Sequence, residues 1–136
     1  MMKKEFNILI ADRNPHVRKF LRREMTAEGY QVRLAKSARE VLNRVYSSEP
    51  FDLIILDPDL SDASEVNLFE RLEDRIPALP IVIHGFLVDY QESSIVNRSA
   101  TFVPKQGNSS ETLKKVVYEL LLKSHHKSLK TNATSQ

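Results

Sequence analysis

Hydrophobic residues along this chain fall into short continuous runs and into segments where they recur every three to four positions. The clearest run lies in residues 51–56, where four branched aliphatic residues follow an aspartate and lead directly into Asp57 and Pro58. Continuous rather than alternating hydrophobicity is typical of a strand buried on both faces, as in a parallel sheet covered by helices. The other predicted strands, which are shorter or more alternating, are residues 6–11, 30–35, 81–83 and 101–103.

Amphipathic segments separate these strands and predict five helices. The first begins at Asn14, a capping residue, and Pro15, which suits the first helical position. The second begins at a capping box formed by Ser37 and Glu40. The remaining predicted helices are a segment bearing Val66, Leu68, Phe69 and Leu72, a weaker helix over residues 87–98, and a last helix that opens at Asn108 and Glu111.

Five strands in strict alternation with five helices predict an α/β fold with a parallel sheet and right-handed crossovers. We expect the flavodoxin-like (βα)5 arrangement, a doubly wound parallel sheet with strand order 2-1-3-4-5. Residues 1–124 are predicted to form this single domain. Residues 125–136 lack apolar periodicity and are rich in polar side chains, so a disordered tail or the start of a linker is expected there.

Composition and charge narrow the function classes. The chain has 136 residues and no cysteine, so disulfides and thiolate chemistry are excluded. Its net charge is only +2, so the overall charge does not indicate nucleic-acid binding. A basic cluster within residues 18–23 is interpreted as the solvated face of the first helix. No apolar run is long enough for a signal sequence or a membrane span, so we expect a cytoplasmic protein that contacts neither membrane nor nucleic acid directly.

Charged side chains follow three of the predicted strands. Strand one leads into Asp12, strand three into Asp57, and strand five through Pro104 into Lys105. In the order 2-1-3-4-5 these strand ends meet at one edge, where ligands and chemistry gather in open α/β sheets. Two carboxylates and one ammonium are therefore expected to converge, although Asp57 taken alone is equally well explained as the start of a turn.

This constellation resembles the receiver domain of two-component response regulators. The resemblance covers residues 5–123, nearly the whole chain. It depends on four segments in the expected order, which are residues 8–12, 52–57, 80–83 and 102–105. Each segment is a weak motif alone, and their combination carries the signal. The resemblance implies the flavodoxin-like fold and a signalling role rather than an enzymatic one.

The resemblance also implies roles for individual residues. Asp57 would accept a phosphoryl group from a histidine kinase with the assistance of Mg²⁺, and Lys105 would contact that group. Asp12 and Asp57 would be metal ligands, and Phe102 stands at the aromatic position that moves in the family's switch. The chemistry is sound because a carboxylate is a competent nucleophile and a hard dication prefers oxygen ligands.

Several positions at this site depart from the family's pattern. Arg13 follows Asp12 where a second, metal-binding acid is usual, so weak Mg²⁺ binding is expected, with Asp59 as a ligand that compensates from the other side. Arg13 either fills the electrostatic role of the metal by pairing with Asp12 or Asp57, or it points to solvent. The Thr or Ser that ends strand four in the family is replaced by Gly85 or His84, depending on the register, and neither residue supplies a hydroxyl.

We therefore expect an atypical receiver that keeps the fold and Asp57 and has an impaired metal site and switch. Its partners would be a histidine kinase or phosphotransfer protein, a downstream protein on the face of the fourth predicted helix, fifth strand and last helix, and a second copy in a homodimer. The alternative is a pseudo-receiver that binds proteins without phosphorylation. A hydrolase with Asp57, Pro58 and Asp59 as its nucleophile motif is disfavoured, because the family with that motif places it after the first strand.

Overall fold

A parallel sheet forms the centre of the structure, a computed structural model that describes residues 5–86 and 100–134. Its strands are β1 (Asn7–Ala11), β2 (Gln31–Ala35), β3 (Leu53–Leu56), β4 (Ile81–Gly85) and β5 (Ala100–Pro104). All neighbouring strands are parallel, and their order is β2-β1-β3-β4-β5. The predicted α/β fold class and the flavodoxin-like strand order are confirmed.

Helices cover both faces of this sheet. Those in the described residues are α1 (Pro15–Ala27), α2 (Ala38–Val45), α3 (Leu68–Asp74) and α4 (Ser109–Thr134). The helix predicted over residues 87–98 lies outside the described residues. The prediction that Val66 belongs to the third helix is wrong, because Asn67 has a left-handed backbone with a φ of 51° and α3 begins only after it.

Side-chain caps determine where the first two helices start. The Asn14 side chain accepts a hydrogen bond from the His16 N–H at 2.8 Å. At α2, Ser37 Oγ accepts from the Glu40 N–H at 3.1 Å, while the Glu40 carboxylate accepts from the Lys36 N–H at 3.0 Å. These local bonds confirm the predicted helix starts and hold the loops that follow β1 and β2 in place.

Alternate side chains of the sheet enter two separate hydrophobic layers. Leu9, Ile54 and Ile83 pack in the layer beneath α2 and α3. Ile10 and Ile55 pack in the opposite layer, beneath α1 and α4. Both faces of β1, β3 and β4 are therefore covered, which is why their sequences are continuous hydrophobic runs. This double burial holds the strand ends rigidly at the edge where the charged residues emerge.

The last helix extends further than the apolar pattern indicated. α4 continues through Thr134 and so includes residues 125–134, where the sequence predicts a disordered tail or the start of a linker. Among residues 109–126, whose burial is described, Leu121 is the last in the buried core. The division into a domain over residues 1–124 and a following tail or linker stays a prediction. Within the described part of the chain, every helix is too short or too polar to span a membrane.

Candidate functional site

The carboxyl edge of the sheet holds two buried acids. Asp12 comes directly after β1 and Asp57 directly after β3, and these residues have only 1% and 2% of their surface exposed. Their backbone N–H groups extend the strand ladders, since Asp12 donates to the Ala35 carbonyl at 3.2 Å and Asp57 to the Ala11 carbonyl at 2.8 Å. The sheet itself therefore fixes the position of both carboxylates.

Lys105 brings a cation to these carboxylates from the end of β5. Its backbone N–H donates to the Gly85 carbonyl at 2.8 Å, which anchors the residue to β4. Its Nζ lies 2.9 Å from Asp12 Oδ2 and 3.7 Å from Asp57 Oδ2, and 13% of the side chain is exposed. The predicted convergence of the three groups is present in the structure, and the closer pair is the one with Asp12.

Arg13 lies at the open side of the site. Its Nη1 is 2.6 Å from Asp59 Oδ2 and its Nε is 3.9 Å from Asp57 Oδ2, while about half of the side chain remains exposed. Of the two alternatives left open by the sequence, the structure favours pairing with a carboxylate, although the closest partner is Asp59 rather than Asp12 or Asp57. We refer to Asp12, Arg13, Asp57, Asp59 and Lys105 together as the carboxyl-edge site.

Backbone N–H groups orient the two buried carboxylates. Asp57 Oδ1 accepts a hydrogen bond from the Asp59 N–H at 2.9 Å, and Asp57 Oδ2 accepts one from the Arg13 N–H at 3.3 Å. Asp12 Oδ1 accepts from the Asn14 N–H at 2.9 Å. Burial raises the pKa of Asp12 above its ordinary value of 3.8, and the hydrogen bond from Lys105 is the strongest opposing influence. Lys105 is therefore the main group that favours the charged form of Asp12.

The acids predicted as metal ligands are paired with cations of the protein itself in this structure. Among the described residues, no group of three or more Asp, Glu, His or Cys side chains is arranged to hold a metal ion. Arg13 lies against Asp59 and Lys105 lies against Asp12, so a divalent cation would meet two positive charges at close range. The predicted ligands Asp12, Asp57 and Asp59 therefore do not fit a strong Mg²⁺ site while Arg13 holds this position.

The end of β4 presents no hydroxyl at this edge. Gly85 is the last residue of the strand and lies against Pro58, the residue that follows Asp57. His84 is buried, and its Nε2 is 3.3 Å from Ser109 Oγ at the start of α4. Of the two residues that the sequence left open, Gly85 borders the loop after the predicted acceptor, whereas His84 packs toward α4.

One phenylalanine contacts the site, and a second lies within β5. Phe86 is half exposed, and its ring centre is 5.8 Å from Lys105 Nζ, within the range of a cation–π contact. Phe102 pairs with Ile83 in the sheet and is partly buried against the layer of α2 and α3. The resemblance singles out Phe102 by its aromatic position, whereas the contact of Phe86 with Lys105 depends on the course of the backbone at the end of β4.

We expect the buried His84 to make the fold sensitive to acid. Burial lowers the pKa of His84 from its ordinary value of 6.5 to about 4, and the nearby Lys105 ammonium adds to this effect. The Asp57 carboxylate acts in the opposite direction. The unfolded chain binds this proton at a higher pH than the folded protein does. Stability therefore falls as the pH drops from 6.5 towards 4, with a total loss of about 3 kcal/mol.

Denaturant unfolding of the wild type and of His84→Gln across this pH range measures the effect. Glutamine is neutral at every pH and keeps a polar side chain near Ser109, so the free energy of unfolding should fall more steeply in the wild type. Asp12 acts in the opposite direction, because its raised pKa favours the folded state as the pH falls, and it is present in both proteins. Parallel pH profiles would show that His84 is not the group responsible.

Comparison with known proteins agrees with this fold. A sequence model described as the response regulator receiver domain matches residues 8–117. The chain is 34% identical to the transcriptional regulatory protein GlrR of Escherichia coli over 92 residues, which cover 65% of this chain and 20% of that protein. Among solved structures, the response regulator TrrA of Thermotoga maritima, in complex with Mg2+-BeF, has 28% identity and a TM-score of 0.72, with 85% of this chain and 98% of that chain covered.

A second solved structure supports the fold alone. It is a CheY-like response regulator receiver domain protein from Methanospirillum hungatei, with a TM-score of 0.75 at 24% identity. The similarity covers 91% of this chain and 99% of that chain. The two strand-end acids and the lysine that converge on this doubly wound sheet are the groups that the resemblance implied. The chain belongs to the response regulator receiver domain family of two-component systems.

The curated relatives are longer proteins. The chain spans between 20% and 23% of the length of the first relatives that it matches, which are transcriptional regulators. Their names describe regulators rather than metabolic enzymes, and this agrees with a signalling domain. The match covers only this part of the relatives, so it does not transfer the activity or the partners of the longer proteins to this chain.

Proposed function

We propose that this receiver domain accepts a phosphoryl group on Asp57, that Lys105 contacts this group, and that the metal site and the switch are weaker than is usual in the family. The observation that carries the proposal is the Asp57 carboxylate, which is buried at the end of β3 and lies 3.7 Å from Lys105 Nζ. The family match supports a phosphohistidine donor on a histidine kinase or a phosphotransfer protein.

The proposed reaction requires a nucleophile and a nearby positive charge. An oxygen of the Asp57 carboxylate attacks the phosphorus atom, and the bond from phosphorus to the donor nitrogen breaks with its electron pair remaining on nitrogen. The product on the protein is an acyl phosphate. Backbone N–H groups of Arg13 and Asp59 orient the carboxylate before the attack. The Lys105 ammonium then favours the negative charge of the phosphoryl oxygens.

Arg13 distinguishes this site from one built around a divalent cation. Its guanidinium pairs with Asp59 and approaches Asp57 to 3.9 Å, so part of the positive charge near the acceptor belongs to the protein itself. A single tethered charge neutralises an incoming phosphoryl group less than a dication does. Phosphorylation at ordinary Mg²⁺ concentrations is therefore incomplete, and Mg²⁺ binds weakly.

The output of the domain passes through protein contacts. The predicted face for a downstream partner or a second copy includes β5 and α4. The fourth predicted helix, which belongs to the same face, lies outside the described residues. On the side of α4 that borders Glu28, the residue after α1, Tyr118 and Leu122 are exposed and lie one helical turn apart, so they offer a second surface for a protein partner. We place the protein in the cytoplasm, with no direct contact to a membrane or nucleic acid.

Beryllofluoride, which mimics a bound phosphoryl group, tests this proposal in solution. With Mg²⁺ present, we expect backbone NMR resonances around Asp57 and Lys105 to shift in the wild type but not in Asp57→Asn. Shifts confined to the site would support an impaired switch, whereas shifts that reach Phe102 would indicate a working one. No response at saturating Mg²⁺ would contradict the acceptor role and favour a pseudo-receiver that binds partners without phosphorylation.

A further inference from the structure

A glycine is needed at position 85 because there is no room for a side chain, not because of its backbone conformation. It is the buried last residue of β4, and its φ lies outside the positive range that Gly29 and Gly107 adopt. A β-carbon built on Gly85 would lie 2.6 Å from Cγ and 2.7 Å from Cδ of Pro58. Carbon atoms in optimal contact are about 3.5–4.0 Å apart. The backbone at this position therefore accepts any residue, but the neighbouring proline ring excludes its side chain.

Neither partner of this contact can retreat easily. The Pro58 ring is closed onto its own backbone nitrogen. The preceding residue is held in the sheet, because the Asp57 N–H donates to the Ala11 carbonyl at 2.8 Å. Gly85 is held as well, because its carbonyl accepts from the Lys105 N–H at 2.8 Å. Separating the two would break hydrogen bonds that position the proposed acceptor and its lysine.

We infer that Pro58 is the residue that keeps a side chain off the end of β4, and that Pro58 and Gly85 form an interlock at the edge of the site. The hydroxyl that is missing at Gly85 then cannot be restored by a substitution at that position alone. The interlock itself concerns packing, whereas its consequence for switching rests on the proposed phosphorylation of Asp57. In that setting Pro58 is a positioning residue that holds β4 in one arrangement, whether or not Asp57 carries a phosphoryl group.

A double-mutant cycle of the wild type, Pro58→Ala, Gly85→Ala and the double variant tests the interlock. Overpacking a buried position is costly, so we expect Gly85→Ala alone to lower the unfolding midpoint temperature by roughly 5–10 °C. Pro58→Ala should lower it much less, and the double variant should unfold close to Pro58→Ala. Pro50→Ala removes an exposed proline as the matched control and should not rescue Gly85→Ala.

Two results would overturn the interlock: a Gly85→Ala variant as stable as the wild type, or a double variant no more stable than Gly85→Ala. If Gly85→Ala does not fold, a double variant that unfolds cooperatively supports the inference, and one that also fails to fold overturns it.

The positioning role of Pro58 has its own readout. In Pro58→Ala/Gly85→Ser, which regains a hydroxyl, we expect beryllofluoride to cause NMR shifts that reach Phe102, and these should be absent in Pro58→Ala alone. Rescue of stability without this extension would overturn the positioning role. Rescue of stability with no beryllofluoride response in the wild type would mean that the interlock holds and the proposed phosphorylation fails, so the two failures are distinguishable.

Discussion

Lys105→Met is expected to lower the free energy of unfolding by about 3 kcal/mol. The substitution removes the ammonium that lies 2.9 Å from Asp12 and 3.7 Å from Asp57, and both carboxylates stay buried. Methionine is a similarly long and flexible side chain, so the loss should reflect charge more than a cavity. The pKa of Asp12, which burial already raises, should rise further because the opposing hydrogen bond from Lys105 is gone.

Denaturant unfolding at neutral pH measures this loss, and two variants separate its causes. Asp12→Asn in the Lys105→Met background removes the unpaired carboxylate and should restore most of the stability. Lys114→Met is the matched control, because Lys114 also lies 2.9 Å from an acid, Glu24, but 22% of the Glu24 side chain is exposed whereas only 2% of the Asp12 side chain is, so a smaller loss is expected. Equal losses in the two lysine variants, or no rescue by Asp12→Asn, would contradict the electrostatic explanation.

Arg13→Asp is expected to strengthen Mg²⁺ binding at the carboxyl-edge site on the order of 10- to 100-fold. The substitution removes a guanidinium that lies 2.6 Å from Asp59 and 3.9 Å from Asp57, and it adds another acid beside them. Two unit charges about 4 Å apart interact by roughly 4 kcal/mol at an effective dielectric of 20, and solvent weakens this at a half-exposed side chain. Carboxylate oxygens are also the ligands that Mg²⁺ prefers.

Calorimetric titration with Mg²⁺ measures the change, and two further variants show its origin. Arg13→Gln removes the cation without adding a ligand, so its affinity should be intermediate. Arg22→Asp makes the same charge change at an exposed position of α1 and should bind Mg²⁺ about as weakly as the wild type does. Tight binding by the wild type, or no gain in Arg13→Asp, would contradict the view that Arg13 takes the place of the dication.

Burial and strand direction account for what could be predicted from the sequence. β3 is buried along its whole length, and an unbroken apolar run is how a sequence encodes a strand covered on both faces. Because β1, β3 and β5 are parallel, Asp12, Asp57 and Lys105 emerge at the same edge once the strand order is assumed. These features depend on local patterns and on topology, both of which can be read along the chain.

Contacts between loops after different strands could not be predicted in the same way. Arg13 reaches Asp59 because the turns after β1 and β3 run close together, and hydrophobic periodicity contains no information on that distance. The contact of Gly85 with Pro58 also joins the ends of two different strands and could not be predicted from periodicity. Its sequence signal was a glycine at the end of a strand, which often marks the close approach of another backbone. The left-handed Asn67 likewise shortened a helix whose apolar pattern continued through it.

We propose that Asp57 accepts a phosphoryl group at a site where Arg13 takes part of the place of the metal. The most direct test of this claim is incubation with acetyl phosphate at ordinary Mg²⁺ concentrations, followed by intact-mass analysis. We predict incomplete addition of a single phosphoryl group to the wild type, more complete addition to Arg13→Asp, and none to Asp57→Asn. Quantitative addition to the wild type, or any addition to Asp57→Asn, would contradict the claim.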